Sequence, residues 1–181
     1  MTKQICIYTD GGTIRGMDFA AWAFVVPRAN GSYFKRSGIL KDCSNNGAEV
    51  MACGFSLNFV ANHSIIRSLD EVLVFTDSPR PFDGLNGMLE HWESNGWRSK
   101  NKRKKGKYAR TIRELSEKDY WIYLLKQKRL VESVGCAVTP VKVKSHSNNY
   151  WNDCADRIVK RELARHCQRI DAGRIDVWRY C

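Results

Sequence analysis

The sequence has 181 residues, of which 43% are hydrophobic and 27% charged, as is typical of a globular domain with a substantial core. No apolar run approaches the roughly 18 residues that a membrane-spanning helix needs, and the N-terminus lacks the pattern of a signal peptide. Seven cysteines without a Cys-x-x-Cys pair favour neither a zinc site nor a disulfide framework. We therefore expect a cytoplasmic protein that does not contact a membrane, and we also expect it to be a monomer.

The net charge of +11 is concentrated in one segment of the chain. Nine basic residues and no acidic one lie between Arg98 and Arg113, so the rest of the chain carries a net charge of only +2. Such a patch is typical of proteins that bind phosphate backbones, and the flanking Trp92, Trp97 and Tyr108 favour a structured projection. A solvated loop or a localisation signal is the alternative.

The first 40 residues predict three strands. Residues 5–9 form the first, and the following Asp10-Gly11-Gly12 is expected to turn sharply, because glycine tolerates tight turns. Residues 20–26 and 32–40 predict the second and third strands, joined as an antiparallel hairpin. The first carboxylate of interest, Asp10, thus follows a strand.

A helix is predicted over residues 46–62, because apolar residues recur on one face and Ser44-Asn45-Asn46 supplies capping side chains. Glu49 lies in its first turn. A carboxylate at this position also has a simple structural explanation, since it complements the helix dipole or closes a capping box.

Residues 72–75 are four consecutive apolar residues that favour β-structure, and they predict a strand covered on both faces. Asp77 follows at the carboxyl end of this strand, where open α/β sheets bind their ligands. An aspartate followed by Ser78 and Pro79 also fits the start of a helix.

The second half of the chain alternates helices with one more strand. The final helix carries Asp153 and Asp156, three residues apart on one face. The predicted helices span 82–92, 115–131 and 151–167, and the fifth strand spans 138–143.

Six short segments, in this order and spacing, resemble the successive motifs of type 1 ribonuclease H over residues 5–165. They are Tyr8-Thr9-Asp10-Gly11-Gly12, Asn45-Asn46-Gly47-Ala48-Glu49, Val74-Phe75-Thr76-Asp77-Ser78, Asn95-Gly96-Trp97, Val143-Lys144-Ser145-His146 and Asn152-Asp153-Cys154-Ala155-Asp156. The resemblance implies an α/β fold, the ribonuclease H-like fold, with a mixed five-stranded sheet of order 3-2-1-4-5 flanked by helices. It implies a single domain over 1–181, with a basic protrusion at about 97–113, as in the cellular-type enzymes, and a C-terminal extension at about 168–181.

The same resemblance implies an endonuclease that hydrolyses the RNA strand of RNA–DNA hybrids. Its chemistry needs hard oxygen ligands for two Mg²⁺ ions, or Mn²⁺ in their place, that serve both ends of an in-line displacement. By resemblance these ligands are Asp10, Glu49, Asp77 and Asp156. His146 is expected to assist proton transfer or product departure.

The remaining residues implied by the resemblance contact the hybrid. Asn45 and Asn46 are expected to read 2′-hydroxyls in the minor groove, although helix capping also explains them. The implied set of binding residues is Gly11, Gly12, Ser44, Asn45, Asn46, Trp97, Lys102, Arg103, Lys104, Lys105 and Ser116.

Two departures from the family pattern affect these contacts. Residues 13–18 lack the usual proline-containing glycine-rich loop, and Pro79 stands where the family often has a glutamine. Proline cannot replace the hydrogen bonds of that side chain. A DNA nuclease or resolvase of the same superfamily, or a catalytically silent nucleic-acid-binding module, remains as an alternative function.

Overall fold

The computed structural model describes residues 2–100, 112–144 and 149–172. Five strands form the main sheet in the order β3-β2-β1-β4-β7. Strand β2 runs antiparallel to both of its neighbours, β3 and β1, whereas β1, β4 and β7 run parallel to one another. The strands are β1 (Gln4–Thr13), β2 (Phe19–Pro27), β3 (Tyr33–Lys41), β4 (Glu71–Thr76) and β7 (Ala137–Lys142).

Two very short strands, β5 (Arg98–Lys100) and β6 (Ile112–Glu114), pair antiparallel in a separate two-stranded sheet. The helices are α1 (Asn45–Ala61), a 3₁₀ turn (Ser64–Ser68), α2 (Pro79–Asp83), a π turn (Gly84–Met88), α3 (Leu89–Ser94), α4 (Lys118–Glu132) and α5 (Tyr150–Asp171). None of the described helices is long and apolar enough to cross a membrane.

The core lies on both faces of the main sheet, as expected for a sheet between helical layers. Helices α1 and α4 cover one face, where Trp121, Leu57 and Val74 are completely buried. Helix α5 covers the other face, and its Ile158 and Val159 pack against β1 and β2. The predicted fold, with sheet order 3-2-1-4-5, is confirmed, β7 being the fifth strand of that order.

The sharp turn predicted at Asp10-Gly11-Gly12 is wrong, because β1 continues through these residues to Thr13. Asp10 pairs with Ala23, and Gly11 pairs with Trp22 of β2. The glycine serves close packing instead of a turn. A Cβ on Gly11 would lie 2.3 Å from the backbone of Ala48 and of Glu49, so only glycine lets β1 approach α1 this closely.

The helix predicted over 82–92 is interrupted. Helix α2 begins earlier, at Pro79, and the chain leaves helical geometry at Gly87, where φ is +103°. A glycine with positive φ inside a helical pattern explains the break. Helices α4 and α5 begin within three residues of their predicted starts, but α5 continues to Asp171 and so includes the start of the predicted C-terminal extension.

The tip of the predicted basic protrusion, including Lys102, Arg103, Lys104 and Lys105, lies outside the described residues. At the base of the segment, Trp97 is only 9% exposed and packs in the core. The ring of Trp97 therefore has little free surface, and its contact with nucleic acid stays a prediction. Its backbone N–H and C=O bond to Trp92 and Leu115, and thereby anchor the start of β5.

Candidate active site

The four predicted carboxylates lie around one cavity of about 300 Å³ at the carboxyl edge of β1 and β4. Asp10 comes from β1, Asp77 from the residue after β4, Glu49 from α1 and Asp156 from α5. Parallel strands bring their carboxyl ends to the same edge, and α1 and α5 each present a turn there from opposite faces. The cavity is lined by Asp10, Glu49, Asp77, Ser78, Pro79, Asn152, Asp153 and Asp156.

Glu49 is held in place by two side chains. Asn45 Nδ2 donates to its Oε1 at 3.0 Å, one helical turn away, and Ser78 Oγ donates to its Oε2. The N-cap of α1 is Ser44, whose Oγ accepts from the Gly47 N–H at 3.0 Å. The capping-box explanation of Glu49 therefore does not hold, because its two oxygens are engaged by Asn45 and Ser78.

Asp77 does not cap α2. The N-cap there is Ser78, without a side-chain cap hydrogen bond. The Asp77 carboxylate instead accepts a hydrogen bond from Asn152 Nδ2 at 3.3 Å, and its main-chain carbonyl accepts one from Lys142 Nζ. The carboxylate thus faces the cavity rather than the helix backbone.

Asp156 pairs with Lys160, whose Nζ lies 2.7 Å from its Oδ2, four residues along α5. The lysine side chain is 65% exposed, so the pair is a surface ion pair of the kind that contributes little to stability. Asp153, three residues before Asp156, also lines the cavity.

The cavity carries more negative charge than the protein neutralises. Burial and, to a lesser extent, the neighbouring charges of Asp77 and Asp156 together raise the pKa of Asp10 to about 8. Burial also raises the pKa of Glu49, although the hydrogen bonds from Ser78 and Asn45 oppose this shift. The site therefore favours either protons or a cation.

The donor set fits divalent metal ions. All its charged members are carboxylates, the hard oxygen ligands that Mg²⁺ and Mn²⁺ prefer. Among the described residues, no three such side chains are gathered closely enough to enclose an ion as they stand. Ser78 holds one oxygen of Glu49 and Lys160 holds one of Asp156, so metal uptake requires side-chain adjustment.

The predicted phosphate binders Ser44 and Ser116 lie at the two ends of one polar network. Ser44 Oγ donates to Glu117 Oε1, and Arg80 Nη2 lies 3.4 Å from both Glu117 Oε2 and Ser116 Oγ. The Arg80 guanidinium also lies over the ring of Trp121, 5.8 Å from its centroid. A phosphate bound at Ser44 would lie close to the negative charge of Glu117, which Arg80 only partly neutralises.

The other predicted binding residues differ in how exposed they are. Asn45 is exposed and Asn46 partly so, at the entrance of α1. Gly11 is buried beneath α1, and a Cβ on Gly12 would meet a methyl group of Val159 at 3.0 Å. His146 lies outside the described residues.

Sequence reasoning did not single out Ser78, Asn152 or Lys160, which engage Glu49, Asp77 and Asp156. The first two stood inside recognised motifs, directly after Asp77 and directly before Asp153. Lys160 had a weaker signal, its spacing of four residues from Asp156 on a helix.

The fold and the cavity together define the class of ribonuclease H-like α/β proteins, and comparison with known proteins narrows this to a family. A family model described as RNase H matches residues 2–164. The chain belongs to the ribonuclease H family.

Relatives agree with this assignment, and solved structures share the fold. The chain is 28% identical over 162 residues to a ribonuclease H of Francisella philomiragia, covering 90% of this chain and 92% of that protein. The solution structure of the PFV RNase H domain is similar in fold, with a TM-score of 0.67 at 21% identity, covering 91% of this chain and 96% of that chain. A foamy viral protease-reverse transcriptase in complex with RNA/DNA hybrid matches 88% of this chain and 20% of its own, with a TM-score of 0.63 at 21% identity.

Proposed function

We propose that this protein is an endoribonuclease that hydrolyses the RNA strand of RNA–DNA hybrids with two divalent metal ions, Mg²⁺ or Mn²⁺. The observation that carries the proposal is the acidic cavity: in a chain of this family, four separate elements direct a carboxylate into it. The charge is left uncompensated, as the high pKa of Asp10 indicates. A cluster that costs stability in the free protein is typical of a functional site.

In this proposal Asp10, Glu49, Asp77 and Asp156 hold the metal ions. When bound, Mg²⁺ supplies an activated water and stabilises charge on the phosphate oxygens. The surrounding side chains do the positioning: Asn45 and Ser78 fix the two oxygens of Glu49, and Asn152 fixes Asp77. Release of Asp156 by Lys160 would free its second oxygen for the ion. His146 is the proposed proton carrier.

The proposed substrate contacts surround the cavity. Asn45 and Asn46, at the start of the helix that bears Glu49, are exposed enough to reach a minor groove, where 2′-hydroxyls distinguish RNA from DNA. Lys102, Arg103, Lys104 and Lys105 would hold phosphates of the duplex. The hybrid complex of the similar foamy viral protein supports this substrate class.

A cytoplasmic monomer with a cellular-type basic protrusion is part of the same proposal. The six described cysteines are all free, which is typical of reducing compartments. Size-exclusion chromatography with light scattering tests the oligomeric state.

The substrate test uses one sequence prepared as RNA–DNA hybrid, double-stranded RNA and double-stranded DNA. We expect cleavage of the hybrid alone, confined to its RNA strand and dependent on Mg²⁺. Comparable cleavage of double-stranded DNA would favour the resolvase-like alternative. Binding without cleavage of any duplex would favour the silent module.

A further inference from the structure

Asn152, the third residue of α5, is a polar residue in a buried position. Its side chain is only 3% exposed, and it lines the acidic cavity. Its backbone N–H is already satisfied by the side chain of Asn149, the N-cap of α5, at 3.2 Å. Burying an amide costs free energy unless both of its ends are hydrogen-bonded, so the two ends of this side chain need an explanation.

The amide nitrogen of the Asn152 side chain has a partner at the sheet edge that carries the proposed metal ligands. Asn152 Nδ2 donates to Asp77 Oδ2 at 3.3 Å. Because a carboxylate accepts but does not donate, this contact fixes which end of the amide faces Asp77. The bond joins the start of α5 to the residue after β4, two elements that the chain order separates by 75 positions.

The other end is left without a partner in the described part of the chain. Asn152 Oδ1 is buried and accepts no hydrogen bond from any described residue. An apolar side chain would avoid this cost. A buried amide that orients a carboxylate while leaving its own oxygen unpaired is better explained by the site than by the stability of the fold.

We propose that Asn152 is a positioning residue for the cleavage reaction, holding the Asp77 carboxylate in the orientation that receives a metal ion. It acts through Asp77 and does not itself touch the reacting atoms. Residues that hydrogen-bond metal ligands typically contribute 10- to 100-fold to metal affinity or activity. This inference rests on the proposed function, in which Asp77 is a metal ligand.

The test measures Mg²⁺ binding to the protein alone by titration calorimetry, together with thermal unfolding in EDTA. For Asn152→Ala we expect the Mg²⁺ dissociation constant to rise by about 10-fold or more. Asn152→Ser, whose hydroxyl is too short to reach Asp77, should behave alike and replaces the alanine variant should that variant not fold. The matched control is Asn149→Ala, which removes the cap of the same helix but leaves the contact with Asp77. It should lower the melting temperature and leave the Mg²⁺ dissociation constant unchanged.

Two outcomes would overturn the inference in distinguishable ways. If Asp77→Asn weakens Mg²⁺ binding but the Asn152 variants bind within twofold of wild type, Asn152 does not position the ligand, and the proposed metal site stands. If Asp77→Asn also binds Mg²⁺ like wild type, the metal site itself is wrong, and the role of Asn152 is wrong with it.

Discussion

Asp10 shows at the scale of one residue how function opposes stability. Its carboxylate is largely buried within β1 beside Asp77 and Asp156, and in the absence of a cation its pKa rises from the ordinary 3.8 to about 8. Between these two pH values the folded protein binds a proton that the unfolded chain has released. The stability contributed by this group therefore falls as the pH rises from about 4 to about 8.

This linkage predicts that Asp10→Asn is more stable than wild type in EDTA at pH 8, by roughly a few kcal/mol, with the difference closing near pH 4. Urea unfolding at the two pH values measures both free energies. A difference that is the same at pH 4 and pH 8 would contradict the assignment of the raised pKa to Asp10. The same variant should lose cleavage activity, as expected where a site is built at the expense of stability.

Glu117 is a second residue whose charge opposes the proposed function, because its carboxylate accepts a hydrogen bond from the hydroxyl of Ser44, a proposed phosphate binder, and pairs with Arg80. Two unit charges about 4 Å apart in water interact by about 1 kcal/mol, so Glu117→Gln should tighten hybrid binding by roughly fivefold.

Fluorescence anisotropy with a labelled hybrid in Ca²⁺ or EDTA measures this affinity without cleavage. Glu132→Gln, at the far end of the same helix, is the control and should bind like wild type. Weaker binding by Glu117→Gln would show that Glu117 instead holds Arg80 where the substrate needs it.

The residues that sequence could predict are those with a chemical signature. Four carboxylates inside family motifs were predicted to converge, and all four line one cavity. Asn152 and Lys160 were not singled out, because an amide or a lysine on a helix has many structural uses. Only their contacts with Asp77 and Asp156 in the folded protein indicate that they belong to the site.

At the scale of elements, the contact between β1 and α1 determines where Asp10 and Glu49 lie relative to each other. Gly11 has no side chain, and the backbone of Ala48 and Glu49 occupies the space that a Cβ would need. Sequence reasoning assigned this glycine to a turn, since glycine is common in turns. The close packing that actually requires it joins residues far apart in the chain, which local patterns do not report.

Gly11→Ala should therefore destabilise the protein by several kcal/mol and move Glu49 away from Asp10, because the 2.3 Å contact is with backbone that cannot rotate away. Gly12→Ala is the matched control: its Cβ meets only a Val159 methyl group at 3.0 Å, and it should cost about 1 kcal/mol, the lower end of the usual range for overpacking. Chemical denaturation compares the two. Equal losses would mean that the approach of α1 to β1 is not what constrains Gly11.

The bounds of the helices were also predicted well only where local sequence signals mark them. Capping side chains and apolar spacing located α1 almost to the residue, whereas the helix after β4 was predicted without its break at Gly87. The pairing of β5 with β6 was not predicted either, since three-residue strands leave no periodic pattern.

At the scale of the whole molecule, most of the positive charge is separated in the sequence from the carboxylates of the proposed metal site. Nine of the basic residues lie between 98 and 113, and the acidic cavity is built from the remainder. This separation suits a protein that attracts a polyanion with one surface and hydrolyses it at another.

Replacing Lys102, Arg103, Lys104 and Lys105 by glutamate should raise the Michaelis constant and leave turnover at saturation nearly unchanged. Each lost phosphate contact should reduce the slope of log affinity against log salt by roughly 0.9. Binding measured over a salt series tests this, with Arg165→Glu and Arg169→Glu, on the last turns of α5, as the control. An unchanged slope would indicate that the segment does not bind the substrate.

The central claim is that the cavity of Asp10, Glu49, Asp77 and Asp156 is where RNA is cut. The most direct test is single-turnover cleavage of an RNA–DNA hybrid in Mg²⁺ by wild type, by Asp77→Asn and by Asp119→Asn, an exposed aspartate on α4. All three proteins should be folded by circular dichroism. Because metal ions contribute several kcal/mol to such reactions, Asp77→Asn should be slower by about 10³-fold or more, and Asp119→Asn should match wild type. A folded Asp77→Asn protein that cuts the RNA strand at near wild-type rate would contradict the account.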